Sequence, residues 1–483
     1  MNKIIVKQTH IEVPNYRLGD CPEIEKMLSV WDDVYHKIEP VGFSYDEKTN
    51  TLILPRGMDL SYIERKFNMP LEIDRNFNKY KRVSYKLKTE PRDDNQVKSI
   101  AYLLGEGEFT YTKRYSQQAL NLDVGQGKTY VTIASGTFLQ MVTLVITHIN
   151  TIKNQWMSSY LEFTNIDEQY MYDIRGSKCI DKLLKETNPK YKVYFVNHDT
   201  IKAWCKKNGW DKLNDVFNHL GIGLKIYDEA HLEFSSVLNI DFNTNVYKTF
   251  YLTATFERGY YTENKVFYNC FKNIAKFGVE INETLRKHIV YIAVKYNTRP
   301  NIDEQIKIKG RKGFDRYAYI DYQIKNGKIF DVVKYVSEYF KNQEGKLAIL
   351  TSKIDSSFIF EDYMKEIYPD KKIISWNSQV PDEIKETVND CDVISSTPKS
   401  LGTGNDIPGL RFMIMTEPYT SNITAKQVPG RLREYGPDMY TFYVELIDIG
   451  FSKVNEMYRK RLKKFKEIFV SINEINYEKI NKE

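Results

Sequence analysis

The sequence predicts an α/β chain of two tandem parallel-sheet lobes behind a small N-terminal α+β unit. From about Arg92 to Asn282, short β-branched or aromatic runs alternate with helical stretches, the rhythm of a parallel sheet covered by crossover helices. A second series of the same kind runs from His288 to Ile447. The length, 483 residues, suits two or three domains of roughly 100–200 residues each.

Residues 1–88 are expected to form an accessory domain, a possible DNA-binding one, with a candidate strand at TLILP (51–55). In the segment RNFNKYKRVSYKLK (75–88), Arg75, Lys79, Lys81, Arg82, Lys86 and Lys88 interleave with Phe77, Tyr80 and Tyr85. That mixture suits phosphate contact with base stacking. It suits equally the solvated face of an edge strand, where charge guards against aggregation. The first lobe is placed at 89–285, where TLVIT, VYFVNH, LKIYDEAH and FYLTAT read as buried strands with polar tips. The second is placed at 286–450, with HIVYIAVKY, KLAILTS, KKIISW, CDVISST, RFMIMTE and TFYVELI as strands and VVKYVSEYFKN as an amphipathic helix. Residues 451–483 are expected to be a basic C-terminal helix carrying Lys453, Arg459, Lys460, Arg461, Lys463, Lys464 and Lys466. Such lysines cover an apolar seam with their heads in water, or touch a phosphate backbone.

Composition narrows the class. Hydrophobic residues at 42% and aromatics at 14% lie in the globular range, and no apolar tract approaches the length of a membrane span. The N-terminal MNKIIVKQTHIEVPNY has no apolar core followed by a cleavage site, so no secretory signal is expected and the location is read as cytoplasmic. Five cysteines (Cys21, Cys179, Cys205, Cys270, Cys391) without CxxC spacing argue against a zinc knuckle or a disulfide framework. A net charge of +6 permits a polyanionic partner without requiring one.

Two stretches carry chemistry. In LNLDVGQGKTYV (120–131), a strand runs into a glycine turn and a helix, which aims backbone N–H groups and a helix dipole at one point. Gly125, Gln126 and Gly127 form the turn, Lys128 reaches terminal phosphates, and the Thr129 hydroxyl suits Mg²⁺. The strict pattern has glycine where Leu122 stands, so an ordinary strand-to-helix turn is the competing reading. The second stretch, KIYDEAH (225–231), puts Asp228 and Glu229 at a strand's C-terminal end, where open α/β sheets place ligands. Asp228 suits the metal and Glu229 the attacking water of phosphoryl transfer. A merely charged strand end competes for the acids alone, and loses force once both stretches are taken together.

GQGKT, YDEAH, LTAT and QVPGRLRE, in that order across two α/β lobes, resemble motifs I, II, III and VI of superfamily 2 helicases and translocases with a DEAH box. The resemblance spans about Arg92 to Glu445 and implies RecA-like lobes, ATP and Mg²⁺ as cofactors, and DNA as partner. In that superfamily the position of Leu122 is often not glycine. Gln96 resembles the adenine-reading glutamine, with Arg92 displaced by one residue from the usual spacing. Thr147, in LVITHINTIKNQW, resembles a backbone contact of motif Ia, with His148 in place of the common proline. His231, Thr253 and Thr255 resemble the residues that link hydrolysis to strand grip. Ser352 matches motif IV, and Thr403 and Asp406, in LGTGNDIP, match motif V on the backbone and on the ribose or an arginine. Gln427 and Arg431 match the γ-phosphate-reaching pair of QxxGRxxR; Arg433 stands one place early, where the pattern has Glu434, and is expected to assist Arg431.

Length, the N-terminal unit and SNITAKQVPGRLRE look most like the UvsW-type phage helicases, relatives of RecG and XPB. That likeness implies work on branched or double-stranded DNA: fork regression, branch migration, and unwinding of R-loops or D-loops, the first of these including an RNA–DNA hybrid. For a phage protein the cytoplasm would be the host's. The alternatives are the motor subunit of a restriction or packaging system, an RNA helicase, and an ATP-gated clamp that binds without processive motion.

Overall fold

Seven parallel strands order the first lobe. They are β8 (Gln117–Asn121), β9 (Val142–Thr147), β10 (Met171–Ile174), β11 (Val193–Asn197), β12 (Ile222–Tyr227), β13 (Lys248–Thr253) and β14 (Ala275–Gly278), numbered after seven short strands of the N-terminal unit. Their order across the sheet is β10-β11-β9-β12-β13-β8-β14, every pairing parallel. The computed structural model describes residues 2–32, 37–122, 125–253, 261–278, 288–309, 314–402, 407–418, 428–432, 435–436, 439–465 and 469–480. Two compact units divide the chain, Met1–Val279 and Glu280–Glu483.

The central strands form because their side chains are apolar or, as at Lys225, find a buried partner. β9 and β12 are buried at every position, as strands covered by helices on both faces must be. Caps set the helices between them: Asp93 accepts from the Gln96 N–H at the start of helix Asp94–Leu104, and Gly105, with φ of 71°, ends it.

The second unit repeats the plan. Its strands are β15 (Ile289–Tyr296), β16 (Lys346–Leu350), β17 (Ile373–Trp376), β18 (Val393–Ser396), β19 (Leu410–Met415), β20 (Thr441–Asp448) and β21 (Ser471–Asn476). The sheet order is β17-β18-β16-β19-β20-β15-β21, again wholly parallel and the same permutation of chain order as in the first lobe. These are the two RecA-like lobes. The basic C-terminal segment is helical over Ser452–Phe465 and then returns as β21 beside β15, so the single helix expected over 451–483 is a helix followed by an edge strand. Arg461 is buried and its Nη2 donates to Glu445 Oε2 at 2.9 Å, which makes it part of the lobe's core rather than a surface cation. Among the described residues no helix is long and apolar enough to cross a membrane.

The N-terminal unit holds β1 (Ile4–Val6), β2 (His10–Val13), β5 (Ser44–Asp46), β6 (Thr51–Pro55) and β7 (Leu71–Ile73) in the order β5-β6-β2-β1-β7, with β3 (Ser29–Asp32) and β4 (Lys37–Pro40) as a separate pair. It shares one core with the first lobe: Ile4, Val6, Ile11, Leu52 and Leu54 lie in the same buried cluster as Val237, Phe242 and Phe267. Polar contacts reinforce the join, with Gln8 N donating to Asn245 Oδ1 at 3.1 Å and Gln117 Nε2 to the Thr9 carbonyl at 3.1 Å.

From this unit the chain crosses the N-terminal ends of five strands as a strap. Asn78 N donates to the Asn245 carbonyl ahead of β13, Lys81 N to Gly221 ahead of β12, and Val83 N to Gln140 ahead of β9. Lys192 Nζ, ahead of β11, donates to the Ser84 carbonyl at 2.8 Å, and Leu87 bridges Thr164 ahead of β10. Gly221 and Gly223 leave room for it, since a Cβ at either would meet Lys81 or Tyr80 at 2.5 and 2.8 Å. Tyr85 is buried, and Tyr80 stacks near Phe77 and Tyr247, so these tyrosines pack on protein instead of offering a base-stacking platform.

Candidate functional site

β8 carries the chain into the glycine turn. Leu120 and Leu122 are buried in the lobe's core, so position 122 holds a packing side chain where the stricter pattern has glycine. Its carbonyl accepts from Lys128 Nζ at 2.8 Å. Asp123 and Val124 lie outside the described residues. Gly125 and Gly127 have φ of 86° and 82°, a region that strains any side chain. Gly127 has a further reason to be glycine, because a Cβ there would lie 2.3 Å from Gln96 Nε2. The helix Lys128–Leu139 begins at that residue without a side-chain cap, which turns its first N–H groups and its dipole toward the loop. Gln126 and Thr129 are half-buried on the turn and the first helical turn. Gln96 is 4% exposed and its Oε1 already accepts from Arg92 N at 2.8 Å. The residue expected to read adenine is therefore packed as a brace against the phosphate loop.

The acids arrive on β12. Asp228 N donates to the Ile146 carbonyl at the end of β9, and Asp228 Oδ2 accepts from Trp156 Nε1 at 2.9 Å. Burial, and then the charge of Glu229, push the Asp228 carboxyl up to about 6, against the opposing pull of Trp156 and Lys128. Glu229 adopts φ of 46°, unusual for a residue with a side chain and found where surrounding structure enforces it. Its Oε1 lies 4.0 Å from Lys128 Nζ and its Oε2 3.4 Å from His231 Nδ1. Thr253 Oγ1 lies 2.8 Å from the same His231 nitrogen. The structure thus brings Lys128, Asp228, Glu229, His231 and Thr253 together from three strand ends of one lobe.

A half-buried carboxylate near a helix start that carries a threonine hydroxyl is an oxygen donor set that fits Mg²⁺, which takes few protein ligands and completes its shell with phosphate and water. The raised Asp228 points the same way, since a divalent cation offsets the charge that burial disfavours.

Other expected positions fall differently. Thr147 is fully buried and donates to Asn197 Oδ1 at 2.8 Å, so its hydroxyl faces inward; Asn197 in turn donates to Asn150, which is exposed. Ser352 sits at the tip of β16 with its Oγ buried, while its N–H donates to Glu417. Burial pushes the Glu417 carboxyl up to about 7. Arg431 is 6% exposed at the end of the short turn Pro429–Arg431. Thr255, Thr403, Asp406, Gln427 and Arg433 lie outside the described residues. Sequence reasoning missed Trp156, Asn150, Asn197 and Glu417. Only the polar ends of VYFVNH and RFMIMTE offered a sign of the last two.

Comparison with known proteins is consistent with this geometry. Residues 86–258 match the family described as type III restriction enzyme, res subunit. Transcript termination protein A18 of Fowlpox virus (strain NVSL) is 23% identical over 338 residues, 66% of this chain and 67% of that protein. A fragment described as the HsdR subunit of a type I restriction enzyme from Vibrio vulnificus YJ016 superposes with a TM-score of 0.52 at 13% identity, covering 79% of this chain and 68% of the other. T4 UvsW aligns over 98% of this chain and 99% of its own at 14% identity, with a TM-score of 0.38. Residues 86–258 thus carry the match to a res-subunit family, and the tandem RecA-like lobes share the fold of the HsdR fragment.

Proposed function

We propose that the chain is an ATP-driven DNA helicase or translocase that acts on branched substrates. The observation that supports this most is the meeting of Lys128 with Glu229 at 4.0 Å, beside Asp228 and under a glycine turn. When bound, Mg²⁺ would neutralise charge developing on the phosphates, held by Asp228 and Thr129. Lys128 would exchange the Leu122 carbonyl for phosphate oxygens. Glu229 would orient the attacking water and take its proton, and His231 and Thr253 would sense that change. Arg431, with Arg433 and Gln427, would stabilise charge on the transferred group, and Asp406 would hold the nucleotide. Contacts to the nucleic-acid backbone would come from Asn150, Asn197 and Thr403, which position without reading sequence, and Ser352 would serve only after its buried hydroxyl turns outward.

Turnover should rise when fork DNA is added at low salt, Lys128→Ala should abolish it, and Arg431→Ala should lower it by on the order of 10³. Turnover indifferent to every nucleic acid offered would overturn the proposal. The match of residues 86–258 to a restriction-subunit family favours a second reading, a motor that tracks along unbranched duplex for a cutting partner. Equal stimulation by linear duplex and fork would favour it. The likeness to a transcript termination protein makes an RNA–DNA hybrid a necessary member of the substrate panel.

A further inference from the structure

We propose that the strap across the first lobe is a second nucleic-acid surface, gripping a sugar–phosphate backbone at the end of the sheet opposite the nucleotide loop; its assignment to a second arm of a branched substrate rests on the function proposed above.

The strap alternates. Lys81, Val83, Tyr85 and Leu87 turn wholly or partly inward, and Val83, Tyr85 and Leu87 join the core beneath. Arg82, Ser84, Lys86 and Lys88 are exposed on the outer side. Bridges from Arg82 to Met141 and from Leu87 to Thr164 hold both ends. Arg82, Lys86 and Lys88 therefore lie as a row on the outer side of a backbone anchored to the lobe.

Lys190 and Lys192 extend it from the connection before β11, their ammonium groups 5.8 and 4.7 Å from the Tyr170 ring. The partners of these side chains are backbone carbonyls, an amide and an aromatic face: Lys88 donates to Leu161 O, Lys192 to Ser84 O and Lys190 to Gln169 Oε1. Among the described residues none of the five forms an ion pair with a carboxylate. A row of cations on an anchored backbone, with no carboxylate partner among the described residues, suits a polyanion, whose counterions such cations release. Tyr80 and Tyr85 are committed to packing, so this part of the surface suits backbone contact without base reading.

Its place on the lobe sets its use. The strap lies at the N-terminal ends of β9 to β13, and the loop, Asp228 and Asn150 lie at the C-terminal ends, roughly 20 Å away across strands of this length. The family match covers residues 86–258, so Lys86, Lys88, Lys190 and Lys192 lie within it and Arg82 just before it.

The test uses the full chain without nucleotide, with fluorescein-labelled linear duplex and fork DNA titrated across a KCl series. For R82Q/K86Q/K88Q, affinity for the fork should fall about tenfold or more at low salt, and the slope of log K against log salt should shrink by roughly 2–3. Turnover without DNA and the thermal midpoint should stay as in the parent chain. An unchanged slope and affinity overturns the inference. If the triple variant fails to fold, the single variants decide: each should lower the slope by roughly 0.9, and three unchanged slopes overturn it. An equal loss on duplex and fork overturns the second-arm assignment. A parent chain lacking nucleic-acid-stimulated turnover, in which the triple variant still loses slope, rejects the function above and leaves the surface standing.

Discussion

Trp156 reaches Asp228 from a helix that follows β9, while Asp228 follows β12, so one indole N–H ties the carboxylate proposed to hold Mg²⁺ to a neighbouring crossover. The ring is 1% exposed and cannot swing away without opening the core. Trp156→Phe keeps most of the bulk and removes the donor. Outer hydrogen bonds of this kind are worth roughly 10–100-fold in metal affinity. The variant should therefore need about tenfold more Mg²⁺ for half-maximal turnover and bind Mn²⁺ more weakly by paramagnetic resonance, at a little-changed thermal midpoint. An unaltered Mg²⁺ requirement would reduce Trp156 to packing. Glu229 calls for a different experiment, because its proposed task is proton transfer. Glu229→Gln should cut turnover by roughly 10²–10⁴ while leaving fluorescent-nucleotide affinity near that of the parent.

Beneath the acids, β12 and β13 share a buried polar knot. Lys225 Nζ lies 2.6 Å from Asp241 Oδ1 and 2.8 Å from Thr244 Oγ1, and the Tyr227 and Tyr251 hydroxyls donate to the same carboxylate at 2.8 and 2.5 Å. Asp241→Asn would leave the ammonium buried without its counter-charge, a loss of about 3–5 kcal/mol. Urea unfolding should register it as a lower midpoint at unchanged slope, and a midpoint equal to the parent's would show the knot to be incidental. Lys248, at the start of β13, is 5% exposed with the Tyr115 carbonyl as partner, and burial lowers its ammonium to about 8. Between about pH 8 and 10.4 the unfolded chain holds a proton that the folded chain has released, so stability gains from this group as pH rises through that window. Below it the penalty is complete, at most about 3 kcal/mol for a shift of this size. Lys248→Met should be more stable than the parent near neutrality and lose that advantage toward pH 10. A constant difference across the range would count against the assignment.

Strands such as VTLVIT and IGLKIY announce themselves because burial on both faces favours runs rich in apolar and β-branched residues. MYDI, AKFG and SINEIN do not, and all three are edge strands, β10, β14 and β21, partly exposed and held by pairing on one side. The site divides on similar grounds. Gly127, Lys128, Asp228 and Glu229 stand in contiguous stretches whose chemistry depends on local order. Trp156, Asn197 and Glu417 acquire a role only when separate crossover units meet, which no local pattern encodes.

The two lobes share a strand permutation but not a chemistry. Where β8 runs into a glycine turn, its counterpart β15 runs into a closed polar cluster: Tyr296 OH donates to Gln323 Oε1 at 2.9 Å, and Gln323 Nε2, Thr298 and Gly450 N all donate to Asp448. The second sheet thus spends the same corner on internal hydrogen bonds. The N-terminal unit shows the opposite relation, a different fold fused to the first lobe through one core and a strap. Were it an independent appendage, deleting residues 1–88 would leave a soluble, folded remainder. The shared cluster argues otherwise, since Val237, Phe242 and Phe267 would lose their cover from Ile4, Val6, Leu52 and Leu54, each worth roughly 1.5–3 kcal/mol of burial. Lys81, Val83 and Lys88 would also cease to pair with the loops ahead of β12, β9 and β10. The deletion should therefore aggregate or bind a hydrophobic dye. In the intact chain, hydrogen exchange should protect β1, β2 and β6 to the same free energy as β9 and β12, because a common core opens as one cooperative unit. A well-behaved deletion product, or early exchange confined to the N-terminal strands, would separate the two as bodies.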